Sequence, residues 1–299
     1  MISTENLTKY FDDFKALESI TCNIPDGSIY GMVGSNGAGK STFLRLITGV
    51  YKSNKGRVII DGNPVWENPE VKKHIAYVPD ELYFLPSASI NRMEKMYKSF
   101  YPTFSTEKCR KLTKLFELDP KKPLNTFSKG MRRQAATLLA LSIQPDYIFF
   151  DETFDGLDPV MRNLVKKLIC EDVIERNATA VITSHSLREL EDICDQLALL
   201  HKGGLVLESD VENLKTKQYK IQAAFSQVYE REDFERMGIE VQKFTCQGTV
   251  INMIVKSDRE TANAKLHSLN PVLLEILPLS LEEVFTYEMD ALGYTFDYE

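Results

Sequence analysis

The 299-residue sequence predicts an α/β fold built on a parallel sheet. A glycine-rich loop follows an apolar run at Ser28–Val33 and precedes an apolar-faced helix at Thr42–Ile47. Tyr147–Phe150 is continuously apolar, as expected of a strand buried on both faces, and Ala178–Thr183 predicts another apolar strand. Because open α/β sheets bind ligands beyond the carboxyl ends of their strands, we expect the functional site at that edge.

The glycine-rich loop has the spacing G-x-x-x-x-G-K-[ST] of a phosphate-binding P-loop. Its residues are Gly34, Ser35, Asn36, Gly37, Ala38, Gly39, Lys40, Ser41 and Thr42. Backbone N–H groups of such a loop turn toward phosphates, and the following helix adds its positive dipole end. Lys40 would pair with the β- and γ-phosphates of a nucleotide, and the Ser41 hydroxyl would bind Mg²⁺. An ordinary glycine turn would not require Lys and Ser at these two positions.

The residues before the loop, Ile2–Asn23, predict a hairpin or a short antiparallel sheet. Tyr10 and Phe11 lie near its first turn. Aromatic rings there most often pack, and the alternative is that one of them stacks on a nucleobase. After the loop helix, Gly56–Gly62 and Ile75–Val78 predict two more strands.

Helical spacing replaces the strand pattern between Asp80 and about Ala140, which predicts a helical insertion. Its apolar residues are assigned to two faces, one with Met93, Met96, Tyr97 and Phe100 and another with Leu112, Leu115 and Phe116. Such a face is usually core, but beside a nucleotide site it would equally receive a partner helix. Ser128 and Gly130 open a further helix, where they form an ordinary cap and also an anion site.

Ionisable side chains follow the two buried strands. Asp151 and Glu152 come at the end of one, and His185 follows the other. Paired carboxylates at the end of a buried strand are costly unless they are solvated, paired or bound to a cation. Near a P-loop, we expect Asp151 to hold Mg²⁺ and Glu152 to orient or deprotonate an attacking water. A lone histidine is usually structural, but His185 lies at the edge where ligands bind.

Composition limits the classes of partner and compartment. The formal net charge of −7 offers no basic surface of the kind that nucleic-acid binding needs, so no nucleic acid is expected. The five cysteines are scattered and lack metal-ligand spacing, which suits free thiols in a reducing cytosol. The sequence predicts no membrane-spanning helix and no signal peptide. A task at a membrane would therefore need another chain to supply the span.

In this order, the motifs resemble those of the nucleotide-binding subunit of an ATP-binding cassette (ABC) transporter, over about Met1 to Leu214. Gly34–Thr42 matches the Walker A motif of that family, and Tyr147–Asp151 matches Walker B, followed by the catalytic Glu152. Phe127–Met131 stands in the place of the family signature L-S-G-G-Q. The resemblance implies an ABC-type ATPase fold with a helical subdomain and an antiparallel β-subdomain.

The resemblance also implies roles at the edges of the site. His185 matches the switch histidine, and Asp158 matches the aspartate of the D-loop. Phe11 takes the place of the adenine-stacking aromatic, with Tyr10 as a competitor. Ser128 and Gly130 would cap a γ-phosphate. ATP and Mg²⁺ are the implied cofactors.

Two motifs depart from the family pattern, the Q-loop and the signature. Asp80 replaces the Q-loop glutamine, which implies catalytic and metal-binding roles for this residue. An added carboxylate would attract Mg²⁺ but would also repel the γ-phosphate. In the signature, Lys129 and Met131 replace glycine and glutamine, and Lys129 either faces the opposite nucleotide or is solvated.

The family mechanism implies two kinds of partner. ATP bound to Walker A of one subunit is capped by the signature of another, which predicts a homodimer with two composite sites. Pairing with a different ATPase subunit is the alternative. A separate transmembrane permease would hold the protein at the cytoplasmic side of the membrane. Because both departures resemble ATPases of antibiotic and peptide exporters, we expect export of a small compound or peptide.

Two rival functions remain at this stage. A soluble ABC-type regulator acting on ribosomes or DNA would be expected to carry tandem cassettes or a coiled-coil insertion, which this chain lacks. A P-loop kinase or GTPase would leave Ser128–Gln134 and the order of the motifs unexplained.

The ATPase domain is predicted over residues 1–215, and a small α+β accessory domain over 216–299. The pattern after Asp210 predicts a short polar helix ending at Lys215, then strands and helices in the accessory domain. These are strands at Lys220–Phe225, Val241–Thr245 and Val250–Val255, and helices at Thr261–Leu269 and Leu281–Met289. The domain shows no catalytic constellation, so stabilisation, dimerisation and regulation are all open. Tyr294–Glu299 is predicted to be a frayed terminus.

Overall fold

The computed structural model describes residues 1–213, 219–256 and 259–291. The chain forms two compact units, Met1–Glu208 and Ser209–Glu299. Ten strands begin in the first unit: β1 (Ile2–Phe11), β2 (Phe14–Ile24), β3 (Ile29–Val33), β4 (Lys55–Ile60), β5 (Asn63–Pro64), β6 (Ile75–Val78), β7 (Tyr147–Asp151), β8 (Thr179–Ser184), β9 (Gln196–His201) and β10 (Gly204–Asp210). Seven helices of this unit are α1 (Lys40–Ile47), α2 (Pro69–Lys72), α3 (Ile90–Phe100), α4 (Thr106–Leu115), α5 (Lys129–Ser142), α6 (Pro159–Arg176) and α7 (Leu187–Leu190).

The central sheet of the first unit has six strands in the order β10-β9-β3-β8-β7-β6. Parallel pairing places Val33 beside Ser184 and Asp151 beside Thr183. Strands β3, β7 and β8 are buried along their whole length, as their continuous apolar sequences predict. Their carboxyl ends therefore meet at one edge, which confirms the α/β fold class.

A second sheet of the first unit pairs β2-β1-β4-β5 in antiparallel fashion. Its inward side chains share one hydrophobic core with α1 and the central sheet, including Leu17, Phe43 and Phe149. The hairpin formed by β1 and β2 thus rests against the helix that follows the glycine-rich loop. This packing fixes the position of the loop relative to the sheet edge.

The helical region contains α3, α4 and α5, and each of its two predicted apolar faces has an exposed residue. Met93 is buried, but Phe100 on the same predicted face is 62% exposed. Leu112 and Phe116 are buried, but Leu115 is 43% exposed. Helical periodicity groups side chains on one face, but it does not show how far a neighbouring element extends over that face.

A buried ionic cluster joins α4 to α6. The Asp172 carboxylate, 2% exposed, pairs with Lys108 of α4 and accepts a 2.5 Å hydrogen bond from Arg176. Arg176 also donates to the Pro145 carbonyl oxygen over 2.8 Å. Within this cluster of described residues, Lys108 of α4 and Arg176 of α6 therefore share one carboxylate, that of Asp172.

We expect Asp172→Ala to lower the free energy of unfolding of the first unit by about 3 kcal/mol, because the two cations lose their buried counterion. The single tryptophan, Trp66, lies in this unit, so urea unfolding followed by its fluorescence is a direct measurement. Glu171→Ala is the matched control, because Glu171 forms a 3.7 Å exposed pair with Lys167 on the same helix. The control should change the free energy by less than about 0.5 kcal/mol, and equal effects would contradict the prediction.

The second unit has a β-α-β-β-α-β order followed by another helix. Its elements are β11 (Tyr219–Ala224), α8 (Arg231–Arg236), β12 (Val241–Gln247), β13 (Val250–Val255), α9 (Arg259–His267), β14 (Leu273–Pro278) and α10 (Leu281–Ala291). The sheet is antiparallel with the order β12-β13-β11-β14, which is the split β-α-β arrangement of ferredoxin-like folds. Helices and strands of this unit agree with the predicted α+β class, although β14 and α8 were not predicted.

Several predictions fall outside the described residues. The end of the helix predicted over Asp210–Lys215 and the whole segment Tyr294–Glu299 belong to this group. The predicted domain boundary at residue 215 stays a prediction. Within residues 1–213, 219–256 and 259–291, no helix has both the length and the apolar character needed to cross a membrane.

Candidate functional site

A cavity of about 450 Å³ lies at the carboxyl edge of the central sheet, and we call it the loop cavity. Its lining residues are Phe11, Phe14, Ala16, Asn36, Gly37, Ala38, Gly39, Lys40, Ser41, Thr42, Asp80, Glu152, Asp155 and His185. The structure thus brings most of the predicted loop together with Phe11, Asp80, Glu152 and His185. The cavity thus combines the glycine-rich loop and Lys40 with aromatic rings and with three carboxylates, those of Asp80, Glu152 and Asp155.

Close packing explains two glycines of the loop. A Cβ atom on Gly34 would lie 2.3 Å from the carbonyl oxygen of Leu200. Gly39 has a φ of +107°, and a Cβ there would lie 2.8 Å from the carbonyl oxygen of Ala16. Any larger residue at either position would push the loop away from the sheet or from the β1–β2 hairpin.

Lys40 begins α1, and its ammonium group is 6% exposed. It donates hydrogen bonds to the carbonyl oxygens of Gly34 and Ser35 over 2.7 and 3.3 Å. Its Nζ atom also lies 3.1 Å from Oε1 of Glu152, whose side chain is 13% exposed. An anionic ligand in the loop cavity would compete with Glu152 for this cation.

Glu152 directly follows β7 and connects Lys40 to His185. Its Oε2 atom lies 2.9 Å from Nδ1 of His185 and accepts a 3.2 Å hydrogen bond from the His185 backbone N–H. The Glu152 backbone has a φ of +48°, a left-handed conformation that is uncommon for glutamate and that occurs often at functional sites. This conformation turns the side chain out of the strand and into the loop cavity.

Asp151 is fully buried, and its carboxylate accepts three side-chain hydrogen bonds. Ser41 and Thr183 donate to Oδ1 over 3.0 and 2.8 Å, and Tyr77 donates to Oδ2 over 3.2 Å. Burial, reinforced by the neighbouring Asp151, raises the pKa of the Tyr77 phenol, so Tyr77 remains a proton donor. The ligand set of Ser41 and Asp151 suits Mg²⁺, which is usually held by one or two protein oxygens together with substrate phosphates.

Asp80 lies at another side of the loop cavity and forms an ion pair with Arg133 of α5. The Arg133 Nη2 atom is 2.9 Å from Oδ1 of Asp80, and Nη1 donates to the Pro79 carbonyl oxygen over 2.8 Å. Arg133 is 1% exposed, whereas Asp80 is 45% exposed. The role of Asp80 as a metal ligand stays a prediction, and Arg133 is its partner in this structure.

The remaining predicted residues do not line the loop cavity within the described part of the chain. Ser128 caps α5 by accepting a 3.2 Å hydrogen bond from the Met131 N–H. Asp158 caps α6 and accepts from the N–H groups of Val160 and Met161, each over 3.0 Å. Gly130 allows close packing, because a Cβ there would lie 2.9 Å from the Gly156 carbonyl oxygen.

The Lys129 side chain is 63% exposed, as the solvated interpretation predicts, and it is also paired within its own chain. Its Nζ atom lies 2.6 Å from Oδ2 of Asp155. This hydrogen bond lowers the pKa of the Asp155 carboxyl below its ordinary value, so Asp155 stays ionised. Asp155 lines the loop cavity, and the pair therefore joins the first turn of α5 to the cavity wall.

Phe11 ends β1 at the mouth of the loop cavity and is 39% exposed. Its ring packs edge-to-face against Tyr51, with the ring centroids 5.5 Å apart. The Lys9 ammonium lies 5.1 Å from the Phe11 centroid. The packed neighbours hold the ring in place, while its exposed part remains available for stacking.

Six residues that line or support the site were not identified from the sequence: Phe14, Ala16, Tyr77, Arg133, Asp155 and Thr183. Thr183 and Tyr77 lie in predicted strands beside β7, and the parallel register places Thr183 directly next to Asp151. Applying strand-end reasoning to neighbouring strands would have found Thr183. Arg133 and Asp155 carry no comparable local signal.

Comparisons with known proteins agree on one family. A family model described as "ABC transporter" matches residues 17–155. The ABC transporter ATP-binding protein YtrB of Bacillus subtilis (strain 168) is 30% identical over 285 residues, which cover 95% of this chain and 97% of the relative. The bacitracin transport ATP-binding protein BcrA of Bacillus licheniformis is 30% identical over 226 residues, covering 74% of this chain and 73% of the relative.

Solved structures support the fold. A dimeric bacterial ABC transporter cassette matches with a TM-score of 0.65 and 22% sequence identity. The match covers 71% of this chain and 99% of the cassette. The match agrees with an ABC-type ATPase fold for that part of the chain.

Proposed function

This chain is an ATPase that belongs to the family of ABC transporter ATP-binding proteins, and we propose that it hydrolyses MgATP at composite sites between two copies. One observation carries the proposal. Lys40, Glu152 and His185 surround the loop cavity, while Ser128 and Gly130 of the same chain do not line it in the described residues. A second copy can supply these two residues, since ATP-dependent closure needs donors on both sides of the γ-phosphate.

In the proposed reaction, water attacks the γ-phosphorus of ATP, and the bond to the bridging oxygen of ADP breaks. Glu152 accepts a proton from the water, and ADP and inorganic phosphate leave. Lys40 turns from Glu152 to the β- and γ-phosphates, so the arrival of ATP frees the carboxylate that acts as the base. His185, already 2.9 Å from Glu152, holds this carboxylate in position.

Mg²⁺ would neutralise charge on the phosphate oxygens when it is bound with ATP. The Ser41 hydroxyl and the Asp151 carboxylate would hold it. Thr183 and Tyr77 orient Asp151 by donating to its two oxygens, so the carboxylate faces Ser41. The phenyl face of Phe11 would stack on adenine.

The composite arrangement predicts that two inactive variants restore each other. Lys40→Ala removes the phosphate-binding cation, and Ser128→Arg fills the space that a γ-phosphate would occupy across the dimer. In a mixed dimer, Lys40 of one copy and Ser128 of the other still form one intact site. Co-expression in equal amounts should therefore give about one quarter of wild-type ATP hydrolysis, because about half of the dimers are mixed and each has one working site.

Each variant alone should hydrolyse almost no ATP, which is the baseline of this experiment. A chain carrying both substitutions, mixed with wild type, is the matched control. It places both defects in one copy, so every site of a mixed dimer is defective. Wild-type dimers make up about a quarter of this control mixture, so it should also give about one quarter of wild-type ATP hydrolysis. If each copy acted alone, the first mixture would hydrolyse almost no ATP and the control mixture about half as much as wild type. That result would overturn the composite site.

A transmembrane permease is the second partner that we propose. The segment after Asp80 leaves apolar side chains in solvent, with Tyr83 81% exposed and Leu85 42% exposed. Phe100 at the end of α3 is 62% exposed. Exposed apolar groups next to a hydrolysis site suit a docking surface for a protein partner. This partner would hold the chain at the cytoplasmic face of the membrane.

Export of a small compound or peptide is the transport task that we propose. The similarity to the bacitracin transport ATP-binding protein supports this direction. The soluble regulator that acts on ribosomes or DNA is not favoured, because a relative matched over nearly the whole chain is an ABC transporter ATP-binding protein. Purification of the native complex and identification of its membrane chain tests the partner and the task together.

A further inference from the structure

The wall of the loop cavity is acidic. Asp80, Glu152 and Asp155 all line it, and Lys40 is the only lysine or arginine among the lining residues of the described chain. A triphosphate is strongly anionic, and nearby carboxylates repel it unless their charge is compensated. The binding of ATP therefore depends on how these three carboxylates are neutralised.

Each of the three carboxylates has its own cation. Lys40 lies 3.1 Å from Glu152, and Lys129 lies 2.6 Å from Asp155. The third pair joins Arg133 to Asp80 over 2.9 Å. Because Lys129 and Arg133 are four residues apart on α5, they share one helical face. The two cations on this face of α5 neutralise the charges of Asp155 and Asp80, whereas Lys40 lines the cavity itself.

The cation of the Arg133–Asp80 pair is much more deeply buried than the cation of the Lys129–Asp155 pair. Arg133 is 1% exposed, and the side chains of Lys129 and Asp155 are 63% and 44% exposed. Water and ions screen an exposed pair, but they reach a buried guanidinium poorly. Arg133 also donates to the carbonyl oxygen of Pro79, so it fixes the backbone next to Asp80. The guanidinium therefore has both the Asp80 carboxylate and the Pro79 carbonyl oxygen as hydrogen-bond acceptors.

We propose that Arg133 is a positioning residue for ATP binding, which neutralises Asp80 and keeps its carboxylate turned away from the γ-phosphate. The proposal rests on the ATP site proposed above. In this proposal the Asp80 carboxylate does not bind the metal. It forms an ion pair with Arg133 and so connects the end of β6 to α5. An aspartate at this wall of the cavity is compatible with a triphosphate only while the buried guanidinium accompanies it.

The test is a double-mutant cycle on the purified full-length chain, with the Kd for MgATP measured by equilibrium dialysis. Arg133→Met should raise the Kd about tenfold, because Asp80 is then an uncompensated charge beside the phosphates. Asp80→Asn alone should bind ATP at least as tightly as wild type. The double variant should return to within about twofold of wild type, because the repelling charge and its partner are both gone.

Two further measurements separate charge compensation from a purely structural role. The loss in Arg133→Met should shrink as salt is raised from low to high concentration, because screening weakens the repulsion. Arg133→Lys, which keeps the positive charge, should retain most of the affinity. Arg57→Met is the control, since Arg57 forms an exposed pair with Glu5 and neither residue lines the loop cavity, and the Kd of this variant should equal that of wild type.

Several outcomes would overturn the proposal. These are a folded Arg133→Met chain with wild-type affinity, a double variant that binds no better than Arg133→Met, and an Asp80→Asn chain with clearly weaker binding. If Arg133→Met does not fold, Arg133→Gln removes the charge while keeping hydrogen-bond donors, and the same comparison applies. If the wild-type chain binds no MgATP, the proposed function is wrong. If the wild-type chain binds MgATP and Arg133→Met binds it equally well, only the role of Arg133 is wrong.

Discussion

Replacing Glu152 by glutamine is expected to lower the rate of ATP hydrolysis by about 10²- to 10⁴-fold, the usual contribution of a general base. The amide has nearly the same shape but cannot accept a proton from water. Its oxygen can still accept the hydrogen bond from the His185 backbone, so the local structure should persist. Loss of the negative charge also leaves Lys40 free for phosphate. ATP binding should thus be retained or tightened, and ATP-bound dimers should accumulate.

Single-turnover hydrolysis and size-exclusion chromatography in MgATP measure the two parts of this prediction. Glu189→Gln is the matched control, because Glu189 is buried to almost the same extent, with 12% exposure against 13% for Glu152. Its carboxylate accepts a 2.6 Å hydrogen bond from Ser184, next to His185 in the chain. The control should keep the rate within about threefold of wild type. Wild-type turnover in Glu152→Gln would remove Glu152 from the role of base.

The positions that the sequence predicted well are those where local pattern and sheet geometry act together. The glycine-rich loop, Asp151, Glu152 and His185 all lie at the carboxyl ends of strands that are buried along their whole length. Parallel pairing then brings them to one edge whatever the length of the connecting segments. The chemical role of a residue at such a strand end can therefore be predicted from its type and its position, without knowledge of the remaining fold.

Contacts between segments that are distant in the chain could not be predicted from the sequence in the same way. Asp80 and Arg133 are 53 residues apart, and their pairing depends on how α5 packs behind β6. Lys129 was expected to be solvated or to face another nucleotide, and it is largely exposed, but its pairing with Asp155 of the same chain was not predicted. Neither pair has a periodic or motif signal. Only the tertiary structure shows which carboxylate receives which cation.

The second unit shows the same limit for secondary structure. Strand β14, Leu273–Pro278, is an edge strand in which no residue is fully buried, and its sequence L-L-E-I-L-P shows no strict alternation of apolar and polar residues. Helix α8 has only six residues, too few for a helical period to be visible. The ferredoxin-like order of strands follows from pairing between segments far apart in the chain, which local patterns do not determine.

Removing the cation of the loop has the largest expected effect on binding. Lys40→Ala should weaken ATP binding by at least about 100-fold, because it removes a buried counterion of both the phosphates and Glu152. Within the described residues, three carboxylates would then line the cavity without any lysine or arginine among the lining residues. Repulsion between these groups and the triphosphate would add to the loss of the attractive contact.

Equilibrium dialysis with MgATP checks this expectation, and Lys73→Ala is the control, since Lys73 forms an exposed pair with Glu70 away from the cavity. The physical reason can be tested further with Lys40→Ala combined with Glu152→Gln. Removing the uncompensated carboxylate should recover part of the lost affinity, although the direct phosphate contact stays absent. An unchanged Kd in Lys40→Ala would mean that the backbone N–H groups alone bind the phosphates. In that case the lysine would serve only to neutralise Glu152 before ATP arrives, and the double variant would bind ATP as tightly as wild type.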